Sequence, residues 1–227
     1  MRLGLFSPAS PPSATALQRG CAWLESQGFE LQPGRTVRAG RGLHAADPAE
    51  RARDLLELLA DPAVDAILCV RGGSGTAGIL PHLAEPDSFR TWKPVIGLSD
   101  VTALHLHLFG RFGWTAVSAP MVVQLSAEMP AYTAERWLDL VRKTIDRLEA
   151  EPEPVPLPTG VELRALEPRA GVPPACRGPL LPCNLSVLAS LVGTPVLPPL
   201  AGAILALEEV NETPHALDRF LTQLDLS

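Results

Sequence analysis

The sequence predicts an α/β protein, a parallel sheet covered by helices and followed by a smaller second region. Three observations carry this reading. Short apolar runs alternate with helix-patterned stretches from residue 1 to about residue 148, the pattern of strands joined by crossover helices. One run, Ala66-Ile67-Leu68-Cys69-Val70, is apolar at every position, as in a strand buried on both faces. Proline, 24 residues in all, crowds the stretch from Pro152 to Pro199, which marks a change of domain.

Taken in order, Leu3-Gly4-Leu5-Phe6 predicts a first strand that ends at Ser7-Pro8. A helix follows over Ala14 to Gln27 with Gly28 as its stop. Asp47-Pro48 opens the next helix, because Asp caps free N–H groups and Pro fits the first turn; it runs to about Ala60. The strand at Ala66 to Val70 stops at Arg71-Gly72-Gly73-Ser74-Gly75. Pro94 to Gly97 is another strand, and after Ser99-Asp100 a helix runs from Val101 to about Phe112. Thr115 to Ser118 reads as a strand. Trp137, Leu138, Val141, Ile145 and Leu148 then share one helical face, closing an N-terminal domain over residues 1–148. Residues 149–160, with Pro152, Pro154, Pro156 and Pro158, read as an extended linker. In the second region, 161–227, Asn184 to Val192 reads as a helix, Ala203 to Leu207 as a buried strand, and Thr213-Pro214 as the start of a last helix. Its apolar stripe, Leu217, Phe220, Leu221 and Leu224, has no later element to cover it, so this region is expected to be poorly packed unless a homodimer covers the stripe.

Composition narrows the function classes. The chain has 227 residues, 46% of them hydrophobic and 19% charged, enough to bury a core. Its 19 Lys and Arg against 25 Asp and Glu give a formal charge of −6, which argues against a partner with a phosphate backbone. No window reaches the length of a membrane span and the start is too short for a signal peptide, so a soluble, cytoplasmic protein without a membrane partner is expected. Cys21, Cys69, Cys176 and Cys183 form no Cys-x-x-Cys pair, and buried free thiols are the expectation.

Several residues are candidates for chemistry. Gly97-Leu98-Ser99-Asp100 stands where a strand turns sharply into a helix, which exposes the serine hydroxyl and aims the first helical N–H groups at an oxyanion. The local pattern by itself favours Ser99 or Asp100 capping a helix, and it is not Gly-x-Ser-x-Gly. Arg71 to Gly75 offers bare backbone N–H groups and a guanidinium suited to a substrate carboxylate; a tight turn with Arg71 in a structural ion pair fits as well. It has neither the Lys-Ser/Thr ending of a phosphate loop nor dinucleotide spacing. Glu208-Glu209, at a strand end, is suited to orienting a catalytic histidine, or is simply solvated. Of His44, His82, His105, His107 and His215, the pair on the Ser99 helix points away from its N-terminus. His215, after Glu208, has nothing local that aligns it with Ser99.

Together these residues resemble the LD-carboxypeptidase family, serine peptidases that include muramoyltetrapeptide carboxypeptidases and microcin C self-immunity peptidases. The resemblance rests on Ser7-Pro8, the run Ala46 to Ala52, Asp65 through Gly73, and Pro94 through Leu104. It continues with Pro120-Met121, Asn184-Leu185-Ser186, Gly193-Thr194-Pro195, Leu207 to Val210 with Glu212, Asp218-Arg219 and Gln223-Leu224. It implies a flavodoxin-like N-terminal domain and a smaller β-rich C-terminal domain, incomplete here, with the active site between them. By the resemblance, Ser99 is the nucleophile, Glu208 the acid of a Ser-His-Glu triad, and the N–H groups of Gly73 and Asp100 the oxyanion hole, with Arg71, Gly72 and Ser74 lining the substrate site. The implied reaction releases terminal D-alanine from a murein tetrapeptide in peptidoglycan recycling, or acts on a microcin C-type substrate, without metal or cofactor. The family's aromatic residue is replaced by Ser74, its His-Gly-Pro by Ser118-Ala119-Pro120, and its Gly-Gly-Asn by Pro182-Cys183-Asn184. The family histidine is expected beyond Ser227. The chain therefore reads as C-terminally shortened: a fragment, a binding module without turnover, or a protein that takes its base from a second chain.

Overall fold

The computed structural model describes residues 1–38, 40, 42–83, 92–146 and 177–227. The expected linker 149–160, Leu148 and Cys176 lie outside the described residues. Five strands form one parallel sheet: β1 (Arg2–Phe6), β2 (Glu30–Pro33), β3 (Ala66–Cys69), β4 (Val95–Gly97) and β5 (Val117–Ser118), in the order β2-β1-β3-β4-β5. This is the flavodoxin-like order, in which the chain reverses direction across the sheet between β1 and β3 and opens a crevice at the carboxyl ends of the strands.

Strand alternation divides the sheet's two faces. Leu3, Leu5, Ala66, Leu68, Val70 and Ile96 pack beneath α1 (Ala14–Ser26) and α4 (Ala131–Ile145). There Trp137 takes Trp23 edge-on at 5.6 Å and Phe29 at 5.9 Å. Phe6, Ile67, Cys69 and Val95 face the other way, toward α2 (Pro48–Ala60) and α3 (Thr102–Phe112). Both faces are covered, which is why β3 carries no polar residue. The helices begin where the caps are. Ser13 accepts from Ala16 N, and Asp47 forms a capping box with Glu50 ahead of Pro48.

The second unit comprises β6 (Leu180–Asn184), α5 (Leu185–Leu191), β7 (Ile204–Glu208) and α6 (Pro214–Leu226). β6 and β7 form a separate two-stranded parallel sheet with Asn184 opposite Glu208. Leu181, Cys183, Leu188 and Leu191 join the same core as α2 and α3, so this unit docks on the α3 face. The expectation of an uncovered last stripe is corrected in part. Leu217, Phe220 and Leu224 are half-buried, with Leu224 packed against the core, whereas Leu221 is 49% exposed. α6 rests on α5 by that edge. Among the described cysteines, Cys69 and Cys183 are buried free thiols and Cys21 is half-buried. Among the described residues no helix is long and apolar enough to cross a membrane.

Candidate active site

Ser99 is built on a sharp strand-to-helix turn. Leaving β4, Leu98 is extended, at φ −152° and ψ −175°, and Ser99 itself takes φ +62° before a 3-10 turn over Ser99–Val101 leads into α3. A left-handed serine costs about 1–2 kcal/mol. Gly97 makes the turn possible, because a Cβ there would lie 3.0 Å from both Val101 methyls and 3.1 Å from Cys69 Cβ. The strained backbone distinguishes this serine from an ordinary cap, whose residue keeps an extended conformation.

Three loops meet at the carboxyl ends of β1, β3 and β4. Gly72 lies directly against the serine, and a Cβ on it would sit 3.2 Å from Ser99 Oγ. Gly73, at φ +121°, leaves room for Ser10, whose Oγ would be 2.3 Å from an added Cβ. Close approach of Ser10 requires Gly73, and that of Ser99 leaves a side chain at Gly72 little room. Asp100 is buried, and its Oδ2 accepts from Thr76 N at 2.8 Å, tying the glycine loop to the serine turn. Arg71 is exposed and donates from Nη1 to Pro11 O at 3.0 Å. Ser74 is exposed beside it.

Glu208 reaches this region through a hydrogen-bonded chain. Thr102 Oγ1, in the first turn of α3, accepts from Asn184 N at 2.9 Å, and Asn184 Nδ2 donates to Glu208 Oε1 and Glu209 Oε1, both at 3.2 Å. Asn184 Oδ1 caps α5 by accepting from Val187 N at 3.1 Å. The two acids are not equivalent. Glu209 is half-buried, with Oε2 accepting from Ser186 N at 2.8 Å and Oε1 from Val210 N at 2.9 Å. Burial acts to raise its pKa, but those N–H groups and the Ser186 and Asn184 side chains hold it below the ordinary carboxylate range. Glu208 is exposed, with its carboxylate on Asn184. The sequence marks Asn184 as a helix start and as part of the family resemblance, but not as the link between Thr102 and the two acids.

The histidines divide in the same way. His105 and His107 lie on α3 with Nε2 atoms that have no partner among the described residues. Burial drives the His105 pKa down to about 4, opposed by a hydrogen bond with the Val95 backbone. His107 is lowered by burial and by Arg111. His215 is exposed at the start of α6. His44, half-buried, stacks over the glycine loop, its Nε2 2.8 Å from where a Gly75 Cβ would be. No group of three or more His, Cys, Asp or Glu among the described residues is placed to hold a metal ion. A cavity of about 640 Å³ lies between α1 and the end of β2, with Pro11 on its rim, and neither Ser99 nor Gly72 lines it.

The LD-carboxypeptidase N-terminal domain model matches residues 3–119 and the LD-carboxypeptidase C-terminal domain model matches residues 177–227. The chain is 30% identical over 227 residues to the probable murein peptide carboxypeptidase of Bacillus subtilis (strain 168), covering 99% of this chain and 67% of that protein. It is similar to the crystal structure of muramoyltetrapeptide carboxypeptidase from Oxalobacter formigenes, with a TM-score of 0.78 and 27% identity, over 100% of this chain and 72% of that one. A structure of the microcin C7 self-immunity protein MccF in complex with aspartyl sulfamoyl adenosine gives a TM-score of 0.82 at 24% identity, over 99% and 73% of the two chains. That likeness concerns the fold.

Proposed function

This chain belongs to the LD-carboxypeptidase family, and from that premise we propose that it is a serine carboxypeptidase that releases terminal D-alanine from murein tetrapeptides, as part of peptidoglycan recycling in the cytoplasm. The observation that carries the reading is Ser99 held at φ +62° against Gly72 at the crevice of the sheet, a strained placement that a structural cap does not need. In this reading Ser99 Oγ attacks the carbonyl of the L-centre of the diamino acid. The N–H groups of Gly73 and Asp100 take the oxyanion, and a histidine oriented by Glu208 removes the serine proton. The acyl-enzyme is then hydrolysed by water after D-alanine leaves with the returned proton. Glu208 fits the role better than Glu209, because the Glu209 oxygens are engaged by two backbone N–H groups. Arg71, Gly72 and Ser74 line the peptide's path. The domain division at residues 1–148, 149–160 and 161–227 then separates the nucleophile from the acid.

A second reading follows from the histidines. None of His44, His82, His105, His107 and His215 forms a hydrogen bond with Ser99 among the described residues. Without a base, the oxyanion hole and binding alone leave on the order of 10³ to 10⁴ over water, and the chain acts as a peptide-binding module. A microcin-type substrate is the remaining alternative. One paired assay separates all three: amino-acid release from an L,D-linked murein tetrapeptide and from an aminoacyl sulfamoyl adenosine, with binding of each measured by calorimetry. D-alanine release alone supports the carboxypeptidase. Binding without release supports the module, and release from the nucleotide alone supports the immunity-type peptidase.

A further inference from the structure

We infer that Arg51 is the positioning residue of this site, a buried guanidinium that fixes the glycine loop at the distance from Ser99 at which the loop N–H groups meet a tetrahedral oxyanion. The inference rests on the site proposed above. Arg51 lies on α2, away from the reacting atoms, yet it is fully buried, with 0% exposure, which is unusual for an arginine unless it is paired. Its Nη1 group serves the two loops that frame Ser99. Nη1 donates to Gly75 O at 3.0 Å and to Pro8 O, and Nε donates to Ala46 O at 3.0 Å. One planar group thereby joins the loop after β1, the loop after β3 and the entry to α2.

Charge completes the arrangement. Burial lowers the Arg51 pKa, and the Asp100 and Asp47 carboxylates oppose that fall. Asp100 in turn accepts from Thr76 N at 2.8 Å, so the Gly72–Thr76 loop is held from both sides, at Gly75 by Arg51 and at Thr76 by the residue after the nucleophile. Its glycines have no side chains with which to hold it, and Gly72 is pressed against Ser99 and Gly73 against Ser10. A glycine-rich loop of this kind keeps its N–H groups aimed when its carbonyls are fixed from outside. Lysine would keep the charge but would not span three carbonyls in one plane.

The test is to measure two affinities in Arg51→Lys. One ligand is a stem-peptide boronate in which boron replaces the carbonyl carbon to be attacked. Its trigonal boron accepts an electron pair from Ser99 Oγ, the hydroxyl proton passes to solvent, and a boron-bound oxygen occupies the oxyanion position. The other is the intact murein tetrapeptide, measured in a Ser99→Ala background so that no turnover occurs. The expected result is a loss of boronate affinity of about tenfold or more, with tetrapeptide affinity nearly unchanged and Tm lowered, because lysine leaves buried carbonyls without their donors. Equal loss for both ligands, or loss for neither, overturns the positioning role. Should Arg51→Lys fail to fold, Asp100→Asn, which keeps an acceptor for Thr76 N but removes the charge facing Arg51, is expected to give the same selective loss, and its absence overturns the inference. A wild-type chain that binds neither ligand would instead refute the site itself, and the inference with it.

Discussion

Replacing Asn184 with alanine removes the joint between the acid pair and the serine helix, and the cost follows from its bonds. The side chain caps α5 through Val187 N, a contribution of about 1 kcal/mol. Its amide also donates to Glu208 and Glu209. Hydrogen bonds to charged groups contribute about 1.5–3 kcal/mol each when buried, but Glu208 is exposed, so together the two are discounted to about 1 kcal/mol. Asn184→Ala should therefore lose about 2 kcal/mol, or about 4–8 °C in Tm for a chain of this size, in urea or thermal unfolding. Asn184→Asp separates the parts. It keeps the cap oxygen but sets a third carboxylate against two glutamates, a like-charge contact that should leave it less stable than wild type at pH 7 by a margin that shrinks at high salt. A loss under about 0.5 kcal/mol in the alanine variant, or an aspartate variant as stable as wild type at pH 7, would refute the reasoning.

Other outcomes are expected from single residues. Gly20→Ala should destabilise by more than about 2 kcal/mol, because an added Cβ would stand 1.9 Å from the backbone oxygen of Val122; chemical denaturation checks this. Gly72→Ala should keep the fold, since Gly72 is not in the left-handed region, yet weaken boronate binding on the order of tenfold by crowding Ser99 Oγ at 3.2 Å. His105 is neutral in the folded chain, its pKa down from 6.5 to about 4. Stability should therefore fall as pH drops from about 6.5 toward 4, with a one-proton slope of about 1.4 kcal/mol per pH unit, and His105→Asn should remove that slope.

The elements written in local chemistry were legible in the sequence. The all-apolar run of β3, the Asp47-Pro48 start of α2 and the Thr213 cap of α6 each state their structure within a few residues. β2 was not legible, because Glu30-Leu31-Gln32-Pro33 is a polar edge strand ending in proline. β6 was hidden by Pro182, which is tolerated because the strand pairs with β7 alone. In the site, Gly97 to Asp100 announced a turn, but the choice between cap and strained nucleophile turn depends on a backbone angle. The roles of Arg51 and Asn184 depend on contacts across 43 residues, to Pro8, and 82 residues, to Thr102. No local pattern reports such distances.

The most direct measurement is D-alanine release from an L,D-linked murein tetrapeptide by this 227-residue chain, with Ser99→Ala purified in parallel. A serine carboxypeptidase built on Ser99 predicts release by the wild type that falls to background in the variant. Equal release from both would contradict Ser99 as the nucleophile, and no release from either would contradict turnover by this chain and leave the peptide-binding reading in its place.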